Sequence, residues 1–427
     1  MRTFRTLLTT LSLIAVATTA NLAGSTSLGA GGKAEMSRMR WKNRTIEIAI
    51  SNSLIEPNSN IKTNSDVVGA FERAVSSWQT VADIQIRTQF SERSNVSPSG
   101  PAGDEVSLVT VAQSPENVLL FSKNPLAESA KTRVFYSKGL ITEADIVLNP
   151  FQQFSTDGTF GTFDLESTFA HEIGHLLGLR HSRVLGSTMS ENISRNGVFG
   201  LSETSARSLS ASDVTAVREL YGTTGEDEEC CGTISGRLNV TGGKAAKNLR
   251  VWAEEDGSGR VVAQTETALD GTFRIGGLSG GNYSVFWQKN DDIAASAVGN
   301  LGNIKLEAGE NRNLTEKVSL KRSETALTYV GINGQLSDTA ITLESGREYV
   351  VYLGGRNLAA KDLKLEFNSR FFSVARGSIV EQDFGDNVSV ISCVISVDEK
   401  APSGVYTIFS SNAAGLTGSL IGAINIK

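Results

Sequence analysis

The chain has 427 residues, too many for one ordinary domain, and its 40% hydrophobic and 20% charged content is that of a folded, non-fibrous protein. A net charge of -6 implies no broad basic surface, which argues against nucleic acid or an anionic membrane as partner. Three cysteines are too few for a disulfide framework, while 42 glycines against 7 prolines suit many short strands joined by glycine turns.

Arg2 and Arg5 precede an apolar run at 7–17, and small residues follow at Thr18, Ala20 and Ala23. A basic start, a short apolar core and a small-residue exit read as a secretory signal over 1–23. The run is too short to cross a bilayer comfortably, and no later segment offers about 18 consecutive apolar residues, so a secreted protein with no membrane span is expected. Residues 24–40 read as a short linker.

Patterned sequence begins at Trp41. Ile46, Ile48 and Ile50 alternate with polar residues and predict a half-buried strand. A helix follows, with Ser65 as its predicted cap and Val67, Phe71, Ala74, Val75 and Trp78 on one face. Ile84 and Ile86 restart the two-residue period, and further strands are predicted at 106–111, 133–136 and 144–148. Asp164 is the expected cap of a second helix with the stripe Leu165, Phe169, Ile173, Leu176 and Leu177, ended by Gly178. A third helix is predicted over 210–221, with Gly222 as its stop.

The acidic run Gly225-Glu226-Asp227-Glu228-Glu229 lacks periodicity and marks a linker at 223–231. Beyond it, alternating stretches at 251–253, 261–267, 272–275 and 283–287 predict a β-sandwich over 232–322. A second all-β unit, over 323–427, draws on 349–353, 363–367, 388–397 and 405–409. Cys393 lies in one of these alternating stretches and reads as a small buried residue. The pairing of Cys230 and Cys231 is not legible.

The segment His171-Glu172-Ile173-Gly174-His175-Leu176-Leu177-Gly178-Leu179-Arg180-His181 contains all three histidines of the chain. On a helix, His171 and His175 lie one turn apart on one face, so both imidazoles can reach one ion. Gly178 ends the helix and lets the chain return with His181. Three nitrogen ligands leave a fourth tetrahedral position for water, as in a catalytic zinc site, and Glu172 stands beside it as a candidate base. Ordinary helix histidines would have no reason to fall together in this spacing. A purely structural zinc site would have no use for Glu172.

Over 41–222 the sequence resembles the metzincin metalloproteases, and the matrixin branch in particular. The residues that carry the resemblance are His171 to His181, Ser182 just after the third ligand, and Met189 in Ser187-Thr188-Met189, which matches the Met-turn. Support comes from Asp164-Leu165, from Ala144-Asp145-Ile146-Val147-Leu148-Asn149, and from the stretch between Leu209 and Gly222. The resemblance implies an α+β catalytic domain, a mixed sheet plus three helices, holding one catalytic zinc through His171, His175 and His181. Glu172 would be the general base of peptide-bond hydrolysis, and a protein or peptide substrate would lie along an edge strand, expected at 126–136.

Several family features are expected to be absent. No histidine remains for a second, structural zinc, and no cysteine stands ahead of Trp41 for a cysteine-held latent form. Ser190-Glu191-Asn192 replaces the proline that often follows the Met. Many matrixins carry an acidic residue where Ser212 stands, so contacts made from there should be missing. Calcium through Asp145, Asp157 or Asp164 is a weaker second cation, since such residues more often serve as caps and turns. Residues 232–288 resemble the carboxypeptidase-regulatory-like sandwich through Asp270-Gly271-Thr272-Phe273 and the stretch around Gly280-Gly281-Asn282-Tyr283, and the last unit is Ig-like in pattern. These β-units would serve either to bind an extracellular or cell-surface ligand or as passive spacers. The competing function is accordingly a secreted adhesion or matrix-binding protein with a vestigial zinc domain.

Overall fold

The computed structural model describes residues 39–96, 103–123, 125–126, 128–197, 205–225, 230–289, 298–320, 323–361, 363–385, 388–412 and 415–427. The expected signal and most of the linker ahead of Trp41 lie outside them, as does the acidic core of the 223–231 linker. Among the described residues the chain is mostly β, with few helices.

The first unit is built on one sheet. Strands β1 (Arg40–Trp41), β2 (Thr45–Ser51), β3 (Gln85–Ser91), β4 (Leu108–Thr110), β5 (Ala130–Ser137) and β6 (Leu140–Leu148) form it in the order β1-β6-β4-β2-β3, with β5 on β6. All pairings are parallel except that of β5, which runs antiparallel to β6 from Ala130↔Leu148 to Ser137↔Leu140. The sheet is therefore mixed and β5 is its edge, at the place expected for it. A two-stranded ribbon, β7 (Phe154–Ser155) with β8 (Phe163–Asp164), leads into the helical part.

Helix α1 (Val67–Gln79) buries Phe71, Ala74, Val75 and Trp78, as its periodicity requires. Its cap is Asp66 and not Ser65: the Asp66 carboxylate accepts from the Gly69 N–H at 3.0 Å, whereas the Ser65 hydroxyl is buried without a partner. A carboxylate one residue later satisfies the same orphan N–H groups and adds charge at the helix start. A short helix α2 (Pro115–Leu119), capped by Ser114, adds to the three expected. Helix α3 (Leu165–Leu176) packs on α1, with Phe71 and Phe169 edge to face at 5.0 Å. Helix α4 (Ala211–Tyr221) starts at a Ser210/Asp213 capping box and stops at Gly222, whose φ of 76° suits a residue without a side chain.

Beyond residue 230, the described residues form strands and turns. Strands β9 (Gly232–Val240), β10 (Leu249–Glu255), β11 (Val261–Glu266), β12 (Thr272–Leu278), β13 (Gly281–Lys289), β14 (Gly299–Leu306) and β15 (Asn311–Val318) make two sheets, β11-β10-β13-β14 and β12-β9-β15, around one apolar core. Strands β16 (Ala326–Gly331), β17 (Ile341–Leu343), β18 (Glu348–Arg356), β19 (Lys364–Glu366), β20 (Phe372–Val374), β21 (Val380–Gln382), β22 (Ser389–Val397), β23 (Gly404–Asn412) and β24 (Gly415–Ile426) make a second such pair, β16-β18-β22-β20, with β21 on β22, and β17-β24-β23-β19. Cys393 is a buried free thiol in the core of this pair. Cys230 is disulfide-bonded to Cys231.

Candidate metal centre

The zinc-site candidates sit where α3 ends, and the end of a helix leaves carbonyls without intrahelical partners. Side chains from distant elements take them up: the Trp41 indole N–H donates to the Leu176 carbonyl at 2.8 Å and the Tyr221 hydroxyl to the Leu177 carbonyl at 2.7 Å. The Trp78 indole, fully buried, donates to the Ala170 carbonyl at 2.9 Å. At the other end, Asp164 caps α3 through Ser167 and is gripped by Arg207 at 2.6 and 3.0 Å. Helix α3 is thus fixed along its length before any metal is considered.

From this helix His171 and His175 project together. His181 arrives beyond Gly178, which adopts φ 96° and has the Met39 carbonyl oxygen 2.2 Å from where a Cβ would be. One ligating nitrogen from each ring lies within 4.8 Å of the others. The Nδ1 atoms of His171 and His175 face the Thr188 and Leu179 carbonyls at 2.8 and 2.9 Å. A carbonyl can only accept, so each Nδ1 carries the proton and each Nε2 presents a bare lone pair. Those two Nε2 atoms are 3.1 Å apart. Two lone pairs so placed repel unless a cation lies between them, and ligands of one tetrahedral zinc stand about 3.3 Å apart when each bond is about 2.0–2.1 Å. The donor set therefore fits a zinc ion. Burial, and then the neighbouring rings, hold all three imidazoles down to about 3, so they are neutral and able to ligate at pH 7.

Glu172 lies on the same helix and is buried. Burial pushes its carboxyl up to about 7, against the opposing pull of a hydrogen bond from Thr132. That bond is short: the Thr132 hydroxyl lies 2.5 Å from Glu172 Oε2 and 3.1 Å from the Glu172 carbonyl oxygen. Thr132 belongs to β5, so the sheet edge and the acid are in direct contact. Sequence reading placed the edge strand but not this residue, because the pairing of β5 over α3 is a long-range event.

Met189 is buried and packs against α3 at Gly174. A Cβ at Gly174, between the first two histidines, would meet its sulfur at 2.2 Å and Trp78 at 3.0 Å, so only glycine lets the Met-turn come this close. The turn is held by Asp213. Its carboxylate accepts from Ser187 Oγ at 2.5 Å, Thr188 N at 2.8 Å and Met189 N at 3.2 Å, besides Ser210 N and Oγ at 2.9 and 2.7 Å. The residue that holds the turn is Asp213, one position after the Ser212 singled out in the sequence. The capping-box spacing of Ser210 and Asp213 was the sequence signal that could have found it.

The three aspartates considered for calcium are engaged otherwise. Asp145 accepts from the Leu108 N–H, Asp157 from Thr159, and Asp164 from the α3 start and Arg207. Among the described residues, His171, His175 and His181 form the metal-capable cluster.

Residues 40–222 match the family model for matrixin, a peptidase family, so this part of the chain is similar to a matrixin metalloprotease domain. No curated protein matches the chain. Among solved structures, the major pilin subunit BcpA of Bacillus cereus is 15% identical, with a TM-score of 0.20 over 44% of this chain and 67% of that one. The major pilin SpaD of Corynebacterium diphtheriae is 11% identical, with a TM-score of 0.19 over 44% and 63%. The RrgB pilus protein of Streptococcus pneumoniae is 9% identical, with a TM-score of 0.17 over 42% and 48%. Such low TM-scores mark a partial likeness and carry nothing about function.

Proposed function

We propose that this chain is a secreted zinc-dependent endopeptidase in which His171, His175 and His181 hold the metal and Glu172 is the general base. The observation that carries the reading is the pair of Nε2 lone pairs 3.1 Å apart, both pinned in the ligating tautomer, with an acid on the same helix. A bound zinc would supply Lewis acidity, lowering the pKa of water and stabilising negative charge on a carbonyl oxygen. Glu172 would accept a proton at Oε1, since Oε2 is taken by Thr132, and return it to the leaving amine. An extended peptide would add to the free edge of β5, gaining main-chain hydrogen bonds while its scissile carbonyl passes over the ligand cluster. Secretion rests on the pattern at 1–23. The two-sheet units are read as β-sandwich domains over 232–322 and 323–427, after a catalytic domain at 41–222.

Glu172→Gln tests the assignment, because the amide keeps the shape and removes the base. Cleavage of unfolded casein should fall by about 10²–10⁴ while zinc content, measured by mass spectrometry, stays at the parental level. Parental activity in the variant would overturn the role given to Glu172.

A further inference from the structure

The chain from His181 to Met189 does not simply bridge a ligand and the Met-turn. It closes on itself, since the Ser182 N–H donates to the Met189 carbonyl at 2.6 Å, and it carries a tip at Val184, Leu185 and Gly186. That tip lies inside the C-terminal β-units. Val184 is fully buried in an apolar cluster with Trp252, Val261 and Phe286 of the first two-sheet unit and Val405, Phe409 and Ile421 of the second. Leu185 N donates to the Ile421 carbonyl and Gly186 N to the Gly422 carbonyl, each at 2.9 Å.

Strand β24 is shaped to receive the tip. Its register against β23 jumps from Tyr406↔Ile424 to Ile408↔Leu420, so three residues bulge opposite one. The bulge turns the Ile421 and Gly422 carbonyls away from β23 and makes them free to accept from the loop. The approach is close on both sides. A Cβ at Gly422, which has φ 64°, would meet Val184 Cγ1 at 2.4 Å, and one at Gly186 would meet Val405 Cγ1 at 2.4 Å and the Gly422 carbonyl oxygen at 3.1 Å. A second contact, Ser194 Oγ to Thr339 Oγ1 at 2.7 Å, pins the chain beyond the Met-turn to the same unit.

We infer that the β24 bulge is a positioning element of the metal centre: it sets the loop whose two ends carry His181 and Met189. The inference rests on the zinc reading above, and goes beyond it by making the C-terminal units part of the site's framework and not detachable binding modules. A loop held only at its ends by the first unit would leave the third ligand free to drift. Partners bonded to the ligands themselves typically change metal affinity by about 10–100-fold, and a contact three to five residues along the loop should act at the low end of that range.

Gly186→Ala in the full chain is the test, because Gly186 has an ordinary φ and its closest obstacle, at 2.4 Å, is the Val405 methyl. The readouts are zinc affinity by competition with a fluorescent chelator, and melting temperature with and without zinc. The expected result is a loss of zinc affinity of about tenfold, a smaller zinc-induced rise in melting temperature, and recovery of most of both in Gly186→Ala/Val405→Ala, which removes the 2.4 Å clash and leaves the Gly422 carbonyl oxygen at 3.1 Å for the backbone to accommodate. A merely structural contact would lower both melting temperatures equally and leave zinc affinity alone, which overturns the inference. Loss of zinc without recovery in the double variant, including a single variant that does not fold, also overturns it. Absence of zinc binding by the parent protein would instead overturn the zinc reading, and the inference with it.

Discussion

Asp213 should be the most sensitive position outside the ligand set. Its two carboxylate oxygens face donors alone: Ser187 Oγ and Met189 N on one, Thr188 N, Ser210 N and Ser210 Oγ on the other. Asp213→Asn turns one oxygen into a donor. The cheaper orientation places the new NH₂ toward Ser187, whose hydroxyl can reverse to accept it. The Met189 N–H then loses its carboxylate partner but keeps Ser187 Oγ at 3.0 Å. The other orientation would oppose two backbone N–H groups that cannot turn. Even the cheaper one exchanges several charge-assisted bonds for neutral ones and leaves one close donor–donor contact. With four weakened bonds at about 0.5–1 kcal/mol each plus about 1 kcal/mol for the contact, the cost is about 3–5 kcal/mol. Equilibrium unfolding in guanidinium, followed by tryptophan fluorescence, measures it, with zinc content as the second readout. Destabilisation below about 0.5 kcal/mol with zinc unchanged would refute the account of how the Met-turn is held.

Thr132→Val removes the donor on Glu172 Oε2 and keeps the shape of the side chain. A hydrogen bond to a charged group contributes about 1.5 kcal/mol, so kcat on a peptide substrate should fall roughly tenfold with KM little changed, and Thr132→Ser should restore it; an equal loss in KM would point to substrate binding instead. Glu254 gives a pH dependence unrelated to the metal. Burial pushes its carboxyl from 4.5 up to about 7, opposed by neighbouring donors that include the Trp252 indole at 2.9 Å. Between those values the folded chain holds a proton that the unfolded chain has lost, so this group's contribution to stability is fully present below about pH 4.5 and is lost as pH rises to about 7. Relative to Glu254→Gln, which does not titrate, the parent should lose on the order of 2–3 kcal/mol of stability between pH 5 and pH 8, and parallel pH profiles would exclude that environment for Glu254.

The three-histidine cluster was legible because its spacing is local: one helical turn and one glycine bend bring the rings together whatever surrounds them. The helix faces and the cap Asp164 were legible for the same reason. Ser65 was misplaced by one residue because either oxygen could serve the same N–H groups, and only the fold aims Asp66 at Gly69. Strands β14 and β15 were missed since their side chains are mostly exposed and carry little alternation. Glycines at three positions, Gly415, Gly418 and Gly422, broke the pattern of β24. Thr132 and the residues that receive the 182–190 loop are far from the ligands in sequence, and no local period marks them. Asp213 was overlooked for a different reason, an expectation fixed on its neighbour.

The seat of Val184 under Val405 and Ile421 sets an order of events during synthesis. The ligand-bearing helix and its sheet can form from the first half of the chain, but the loop beside them finds its seat only when the last strand exists. Closing so long a loop adds little equilibrium cost, since the entropy grows only with the logarithm of length. It is nonetheless a slow, non-local step. A chain emerging from its N-terminus therefore completes the surroundings of the third histidine last.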